Sequence, residues 1–372
     1  MENTGGTAVA DEELTGLLIL SLVTNCAPGK KYDLYRELGA GWFRRLDRAE
    51  RQVGRHLLVN GSRLDAAAAG REVERMLRRC RACGIHPVTV DSPHYPSLLR
   101  EIPDPPLVLF ARGRLELLEA GPAVALVGSR RPSNFSVNLA YSIARDLAGA
   151  GVVVVSGLAA GIDGYAHRGA LDGGGGTVAV LGNGIDVVYP RSARDLYARV
   201  GEEGLLLSEF PLGARPLRHH FPLRNRIISG LARGTVVVEA SRRSGALITA
   251  QAALDQGREV MALPGRAGSE AFQGNNLLIK QGACLVEDAA DIGEVLRVDV
   301  AKLSGLEKKL DFSELENNIL NVIGDERVSV LDIRRQIPGP VERISSTLTL
   351  LELKGAVVQY PGKYYMRASE HG

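Results

Sequence analysis

The sequence predicts an α/β protein built around a mostly parallel sheet, with a small helical domain before it and a winged helix after it. Three observations predict this. Seven short, wholly apolar runs recur between residues 122 and 286, and helical patterns separate most of them. Strands buried on both faces read as continuous apolar runs, and strand–helix alternation builds a parallel sheet covered by helices on both sides. Residues before 90 carry helical spacing, and those after 313 read as three helices followed by two short strands. The central sheet is therefore expected to be Rossmann-like, with about seven strands.

Each element follows in chain order. Leu14, Leu17, Leu18, Leu20 and Leu22 share helical spacing within 11–25, and further helical patterns run through 31–38 and 67–83. Residues 1–88 are read as a helical N-terminal domain of the SAM or helix-hairpin-helix type. Pro93, Pro96, Pro103, Pro105 and Pro106 crowd the next stretch. Proline continues neither helix nor central strand, so 89–121 is read as a surface connector. The apolar runs Ala123–Val127, Val152–Val155, Val178–Leu181, Leu205–Leu207, Thr235–Val238, Val260–Leu263 and Ala283–Val286 then define a sheet domain over 122–290. Gly173–Gly176 is the turn into its third strand. A charged stretch without strong apolar period gives a linker over 291–312. Helical patterns near 313–323, 329–336 and 340–354 follow. Strands Ala356–Tyr360 and Lys363–Met366 then flank Pro361-Gly362, completing a winged helix over 313–368. The tail Arg367–Gly372 is read as loose.

Composition narrows the function. Apolar residues make up 45% of 372 positions, which is the mark of a globular chain with room for several cores. The net charge is only +2, so any affinity for nucleic acid has to come from a local patch. Cys80-Arg81-Ala82-Cys83 has the spacing of half a zinc site. No second pair follows, so two reduced thiols near a helix end are expected and no metal is. The N-terminus shows no basic region followed by an apolar run, and no apolar stretch is long enough to span a bilayer. A cytoplasmic protein without membrane contact is expected.

The chemistry concentrates after the strands. In an open parallel sheet, ligands bind where strands end, because loop amides and helix N-termini point there. The first strand leads into Gly128-Ser129-Arg130-Arg131, the second into Ser156-Gly157-Leu158-Ala159-Ala160-Gly161-Ile162-Asp163, and the third into Gly182-Asn183-Gly184. The fourth leads into Ser208-Glu209-Phe210-Pro211, the fifth into Glu239-Ala240-Ser241 and Ser244-Gly245, and the sixth into Pro264-Gly265. Arg215 to Arg226 then packs four arginines, two histidines and one phenylalanine into twelve residues. Arginines pair with phosphates and an aromatic ring stacks on a base, a combination that favours single-stranded nucleic acid. Gly-x-Gly-x-x-Gly and the P-loop pattern are both missing, which argues against dinucleotide cofactors and P-loop ATPases. Asp163, Glu209 and Glu239 are expected to orient arginines, His167 to be a buried hydrogen-bonding residue, and His219 and His220 to face phosphate or water.

These residues resemble a known family. Gly128-Ser129-Arg130, Ser156-Gly157-x-Ala159-x-Gly161-Ile162-Asp163-x-x-Ala166-His167 and Ser208-Glu209-x-Pro211-x-Gly213 are similar to motifs of the bacterial DNA-processing DprA family, also called Smf. So are Phe221-x-x-Arg224-Asn225-Arg226-Ile227-Ile228, Ser244-Gly245-x-Leu247-x-Thr249-Ala250, Pro264-Gly265 and Gly274-x-Asn276-x-Leu278-Ile279-x-x-Gly282-Ala283. One departure is Gln273, where the family more often has serine. Tyr95-Pro96, Leu98-Leu99, the Pro105–Leu109 stretch and Leu351–Gly355 with Pro361-Gly362 extend the resemblance at either side.

The resemblance implies a dimeric, non-enzymatic protein that binds and protects single-stranded DNA during natural transformation. It also implies that single-strand-binding protein is displaced or accommodated and that RecA recombinase is loaded. By position, Arg130 would hold phosphate, Arg218 would contact DNA and Phe221 would stack on a base. Arg224 and Arg226 would touch DNA or support the pocket. Gly128, Ser129, Gly157, Gly161, Asn225, Ser244, Gly245, Thr249 and Asn276 complete the expected DNA-binding set. Leu278 and Ile279 would form the dimer contact, with one of the two packing into its own core. No cofactor is implied.

Two rivals stand beside this reading. A Rossmann-like nucleoside monophosphate glycosidase needs a Pro-Gly-Gly-x-Gly-Thr phosphate loop, and Pro264-Gly265-Arg266 breaks it. A winged-helix transcription regulator would leave the motif-rich sheet domain without a task.

Overall fold

A computed structural model describes residues 4–59, 61–298, 313–323, 328–337, 340–353, 356–360, 362 and 364–367. The chain divides into two compact units, Met1–Ser304 and Gly305–Gly372.

The first unit opens with helices α1 (Thr4–Leu22), α2 (Pro28–Leu38), α3 (Leu46–Val53) and α4 (Ala66–Ala82). A two-residue ladder of β1 (Leu58–Val59) and β2 (Ser62–Arg63) lies between α3 and α4. Pro28 begins α2, where its missing N–H breaks no helical bond. Asp65 caps α4 by accepting from the Ala67 N–H at 2.9 Å. Cys80 is buried in the last turn of α4 and Cys83 is exposed just beyond it, both as free thiols. Burial pushes the Cys80 thiol up to about 11.

Next come β3 (His86–Thr89), α5 (Ser97–Arg100) and β4 (Val108–Gly113). The alternating body follows: β5 (Ala123–Val127), α6 (Asn134–Gly149), β6 (Val153–Ser156), α7 (Ile162–Asp172), β7 (Thr177–Leu181), α8 (Arg194–Glu203) and β8 (Leu205–Ser208). It continues through α9 (His220–Gly230), β9 (Gly234–Val237), α10 (Ala246–Asp255), β10 (Glu259–Ala262), α11 (Gln273–Lys280), β11 (Cys284–Leu285) and α12 (Ala289–Leu296). All nine strands from β3 to β11 join one sheet in the order β11-β10-β9-β5-β6-β7-β8-β4-β3. Pairing is parallel from β11 to β8, and β4 and β3 then add antiparallel.

The sheet thus has two strands more than the seven expected. They frame the proline-rich stretch that the sequence reads as a connector. Residues 107–111 are a fully buried apolar run hidden behind Pro105-Pro106. β3 tolerates Pro87 because it is the outermost strand. Likewise α12 occupies the start of the expected linker, capped by Asp288. The rest of that linker, residues 299–312, lies outside the described residues.

Strand side chains alternate between two buried clusters. Val124 and Leu126 join one, with α6, α7 and α12, while Ala125 and Val127 join the other. The second cluster does not stop at the sheet. It includes Phe110 and Leu207 and runs on to Leu17, Leu18, Trp42 and Met76 of the helical region. Helical region and sheet therefore share one core, which does not divide near residue 88. Among the described residues no helix is long and apolar enough to cross a membrane.

The second unit holds α13 (Glu314–Ile323), β12 (Val328–Ser329), α14 (Val330–Gln336), α15 (Val341–Leu353), β13 (Val357–Tyr360) and β14 (Tyr364–Arg367). The strands form an antiparallel sheet in the order β12-β14-β13. Ile319, Ile333, Ile344, Leu348 and Val357 make its separate core. This is a winged helix, with β12 as a short third strand not expected from the sequence. Pro361 of the expected turn and 368–372 of the expected tail lie outside the described residues.

Candidate nucleic-acid interface

The site follows from topology. The chain builds β5 to β8 outward in one direction, then returns to place β9 beside β5 on the other flank. The loops after β5 and β9 therefore diverge, and a crevice opens between them at the carboxyl edge. The return from β8 to β9 carries residues 209–233, so the basic-aromatic segment crosses above that crevice. The result is a cleft of about 820 Å³.

Ten of the expected residues line it together: Gly128, Ser129, Arg130, Arg218, Phe221, Arg224, Asn225, Ser244, Gly245 and Thr249. Arg130 and Arg218 are exposed. The Arg130 guanidinium carbon lies 5.3 Å from the centre of the Phe221 ring, covering it in a cation–π contact. Phe221 also abuts Gly182, where an added Cβ would come within 2.8 Å of the ring. Ser133 caps α6 by accepting from the Ser136 N–H at 3.3 Å, which fixes the helix that follows the Gly-Ser-Arg loop.

Other expected residues serve the scaffold. Arg224 is 3% exposed, and its Nη1 donates to the Gly157 carbonyl at 2.7 Å and to the Val180 carbonyl. Burial pushes its pKa down to about 10, against the pull of Asp163. At Gly157 a Cβ would sit 2.3 Å from that guanidinium. Gly161 adopts φ +85°, and its Cβ would meet the Ser129 carbonyl oxygen at 2.3 Å. Arg226 takes the supporting one of its two expected roles. It is turned inward, pairing with Asp104 at 2.8 Å and Glu209 at 2.6 Å. Burial opposes its charge, and the two carboxylates outweigh burial and raise its pKa. A guanidinium so occupied braces the segment.

Asn276 holds its own loop edge together. Its amide donates to the Gly265 carbonyl at 3.0 Å and its oxygen accepts from the Gly265 N–H at 3.2 Å, closing the loop after β10. The neighbouring Asn275, passed over in the motif, is fully buried and stitches two strand ends. It accepts from the Ala240 N–H at 2.7 Å and donates to the Val237 carbonyl at 2.8 Å and the Leu263 carbonyl at 3.0 Å. Its signal in the sequence was only an asparagine doublet, which does not say which member faces inward.

The carboxylates divide the work. Glu209 orients Arg226, as expected of it. Glu239 instead holds the start of α6, accepting from the Ser133 N–H at 2.9 Å and hydroxyl at 2.7 Å. Asp163 accepts from the N–H groups of Gly157 at 3.2 Å and Ala159 at 3.4 Å, and burial raises its pKa. His167 is fully buried. The Leu158 N–H donates to its Nε2 at 3.3 Å, so Nδ1 carries the proton and donates to the Thr177 hydroxyl at 2.8 Å. That bond holds Leu158 at φ +52°, a left-handed conformation rare for leucine. Burial pushes the imidazole down to about 3.

His220 stacks on Phe210 with ring centroids 4.1 Å apart, and burial lowers its pKa. Its Nδ1 also lies 3.2 Å from the Gly182 carbonyl oxygen. Leu278 is buried in its own core, so it is not free for a partner, while Ile279 is only partly covered. Beyond the expected set, the cleft recruits Arg131, Tyr189, Ser241 and Ile248. Tyr189-Pro190 had a visible signal, an aromatic and a proline soon after the third Gly-rich loop.

Fold and cleft together define a doubly wound α/β protein, joined to a winged helix, with an arginine-and-aromatic cleft at its switch point. Residues 86–297 match the family described as DNA recombination-mediator protein A, and 308–363 match the DprA winged helix domain. The chain belongs to this DprA/Smf family. Protein Smf of Escherichia coli K12 is 41% identical over 287 residues, covering 75% of this chain and 76% of that protein. DNA processing protein DprA of Streptococcus pneumoniae R6 is 46% identical over 198 residues, 53% of this chain and 70% of that protein.

The crystal structure of DprA from Streptococcus pneumoniae superposes with a TM-score of 0.58 at 35% identity, covering 76% of this chain and 95% of that one. A Helicobacter pylori structure that addresses the single-stranded DNA binding mode of DNA processing protein A gives 0.53 at 28% identity, over 58% of this chain and 96% of that one.

Proposed function

We propose that this protein is a recombination mediator that binds single-stranded DNA in the switch-point cleft and passes it to RecA recombinase during transformation. One observation carries the reading: Arg130 rests on the Phe221 ring at the mouth of the cleft, with Arg218 beside it in the lining. Cation and ring together serve phosphate and base, and a base in a duplex cannot reach the ring. The single-stranded DNA bound by the Helicobacter pylori relative supports the same ligand here. The protein acts by binding rather than by catalysis. Arg266 stands where a nucleotide glycosidase would need the next glycine of its phosphate loop, and Asp163 is buried against backbone amides. We place a homodimer contact at Ile279 and the single-strand-binding protein as a competitor for the same strand. A gel shift with single-stranded and duplex DNA of one sequence tests the reading, with single-strand preference expected. Equal binding to duplex would favour a winged-helix regulator, and release of adenine from AMP would favour the glycosidase.

A further inference from the structure

One aromatic ring at the cleft has no role in that reading. Tyr189 lies between β7 and α8 and is 41% exposed, a large ring left facing solvent. Its hydroxyl has no hydrogen-bond partner among the described residues. It lines the main cleft and also a slot of about 80 Å³ walled by Leu158, Gly182 and Pro190. Cleft and slot share Arg130, Ala159, Tyr189 and Phe221. The Tyr189 and Phe221 rings stand 5.8 Å apart and tilt by 41°.

The two rings are not equally available. Phe221 is half-buried, covered by the Arg130 guanidinium and backed by Gly182. On the face that Arg130 covers, a base stacks only after the guanidinium moves aside. Tyr189 needs no such displacement. A lone exposed tyrosine is ordinary on a protein surface. This one sits at the junction of two basic-lipped cavities, beside the ring already assigned to a base.

We propose that Tyr189 is a second base-stacking residue of the cleft, the first ring an incoming unpaired base meets. This rests on the single-strand reading of the site. Stacking tolerates any base, so the gain is in affinity for unpaired strands rather than in sequence preference. Because the hydroxyl has no partner, the ring alone should suffice.

Fluorescence anisotropy with oligo-dT and with an abasic oligonucleotide of equal length tests it. Tyr189→Ala should bind oligo-dT about fivefold or more weakly, in line with loss of a stacking ring. Tyr189→Phe should stay near wild type. The abasic strand should not distinguish wild type from Tyr189→Ala, because only the phosphate contacts remain. In the Phe221→Ala background, Tyr189→Ala should cause a further loss, since an independent platform adds its own contribution.

Wild-type affinity of Tyr189→Ala for oligo-dT overturns the proposal. So does an equal loss on the abasic strand, or no added loss in the double variant, because either makes Tyr189 a packing support for Phe221. Should Tyr189→Ala fail to fold, Tyr189→Leu, which keeps an apolar side chain but no ring, is read by the same criteria. If Phe221→Ala and Arg218→Ala also leave oligo-dT binding intact, the cleft reading itself fails.

Discussion

At the scale of single residues, the twelve-residue basic segment separates into two kinds of arginine. Arg218 is exposed on the cleft, whereas Arg226 is 8% exposed and held by two carboxylates. Breaking a buried ion pair strands the charges left behind and costs about 3–5 kcal/mol. Asp104 and Glu209 keep some solvent access, so Arg226→Ala should fall toward the lower end of that range in urea denaturation. Arg130→Ala and Arg218→Ala should leave the denaturation midpoint unchanged. Each should instead flatten the plot of log affinity against log salt on single strands by about 0.7 per lost phosphate contact. An unaltered slope for both would remove the assigned patch. Phe221→Ala should weaken oligo-dT binding by about 1–3 kcal/mol, measured by titration at fixed salt.

At the scale of elements, α7 and the loop before it show how glycines and a histidine shape one turn. Gly161 combines φ +85° with a contact that leaves no room for a Cβ, so Gly161→Ala adds about 1–3 kcal/mol of backbone strain before any clash. Gly245, at the start of α10, has open space around its would-be Cβ and an ordinary φ of −62°. Gly245→Ala should therefore keep full stability, and any loss of DNA affinity there reports close approach of the strand.

His167 adds a pH dependence to the same helix. Its pKa falls to about 3 in the folded chain from an ordinary 6.5, so the unfolded chain binds the proton first. Stability is then complete above pH 6.5 and declines as pH falls through that window toward 3. Asp163, raised by burial, works in the opposite direction. Urea melts at pH 7 and pH 5 should show a smaller acid loss for His167→Gln than for wild type.

At the scale of the whole molecule, the division of cores decides what can be removed. The winged helix has a core of its own, while the N-terminal helices share theirs with the sheet. Deleting 305–372 should leave the melting temperature of the remainder unchanged. Deleting 1–84 should lower it or abolish folding, because Phe110, Leu109 and their neighbours lose the helices that bury them. Ile279→Glu should yield a folded monomer with weaker binding to long strands, since two linked sites confer avidity that one lacks. Light scattering with circular dichroism checks it, and a folded dimer would place the interface elsewhere.

The sequence alone determined the alternating body, the winged helix and most of the cleft. Apolar runs and Gly-rich loops are local patterns, and a parallel sheet forces the loops after its strands onto one edge. That is why Gly128 to Arg130, Arg218, Phe221 and Ser244 to Thr249 could be assembled without coordinates. What only the tertiary structure decided is direction and partnership. Neighbouring helix positions such as Asn275 and Asn276 point about 100° apart, and Arg218 lies just before the helix that carries Arg226, so the members of each pair look alike until the neighbours are in place. Asp104 lies far from Arg226 in the chain and meets it only when β4 pairs with β8. The same pairing drew a proline-rich connector into the sheet. Burial by distant residues carries no local mark in the chain, and it is burial that left Arg218 in the cleft and turned Arg226 toward the core.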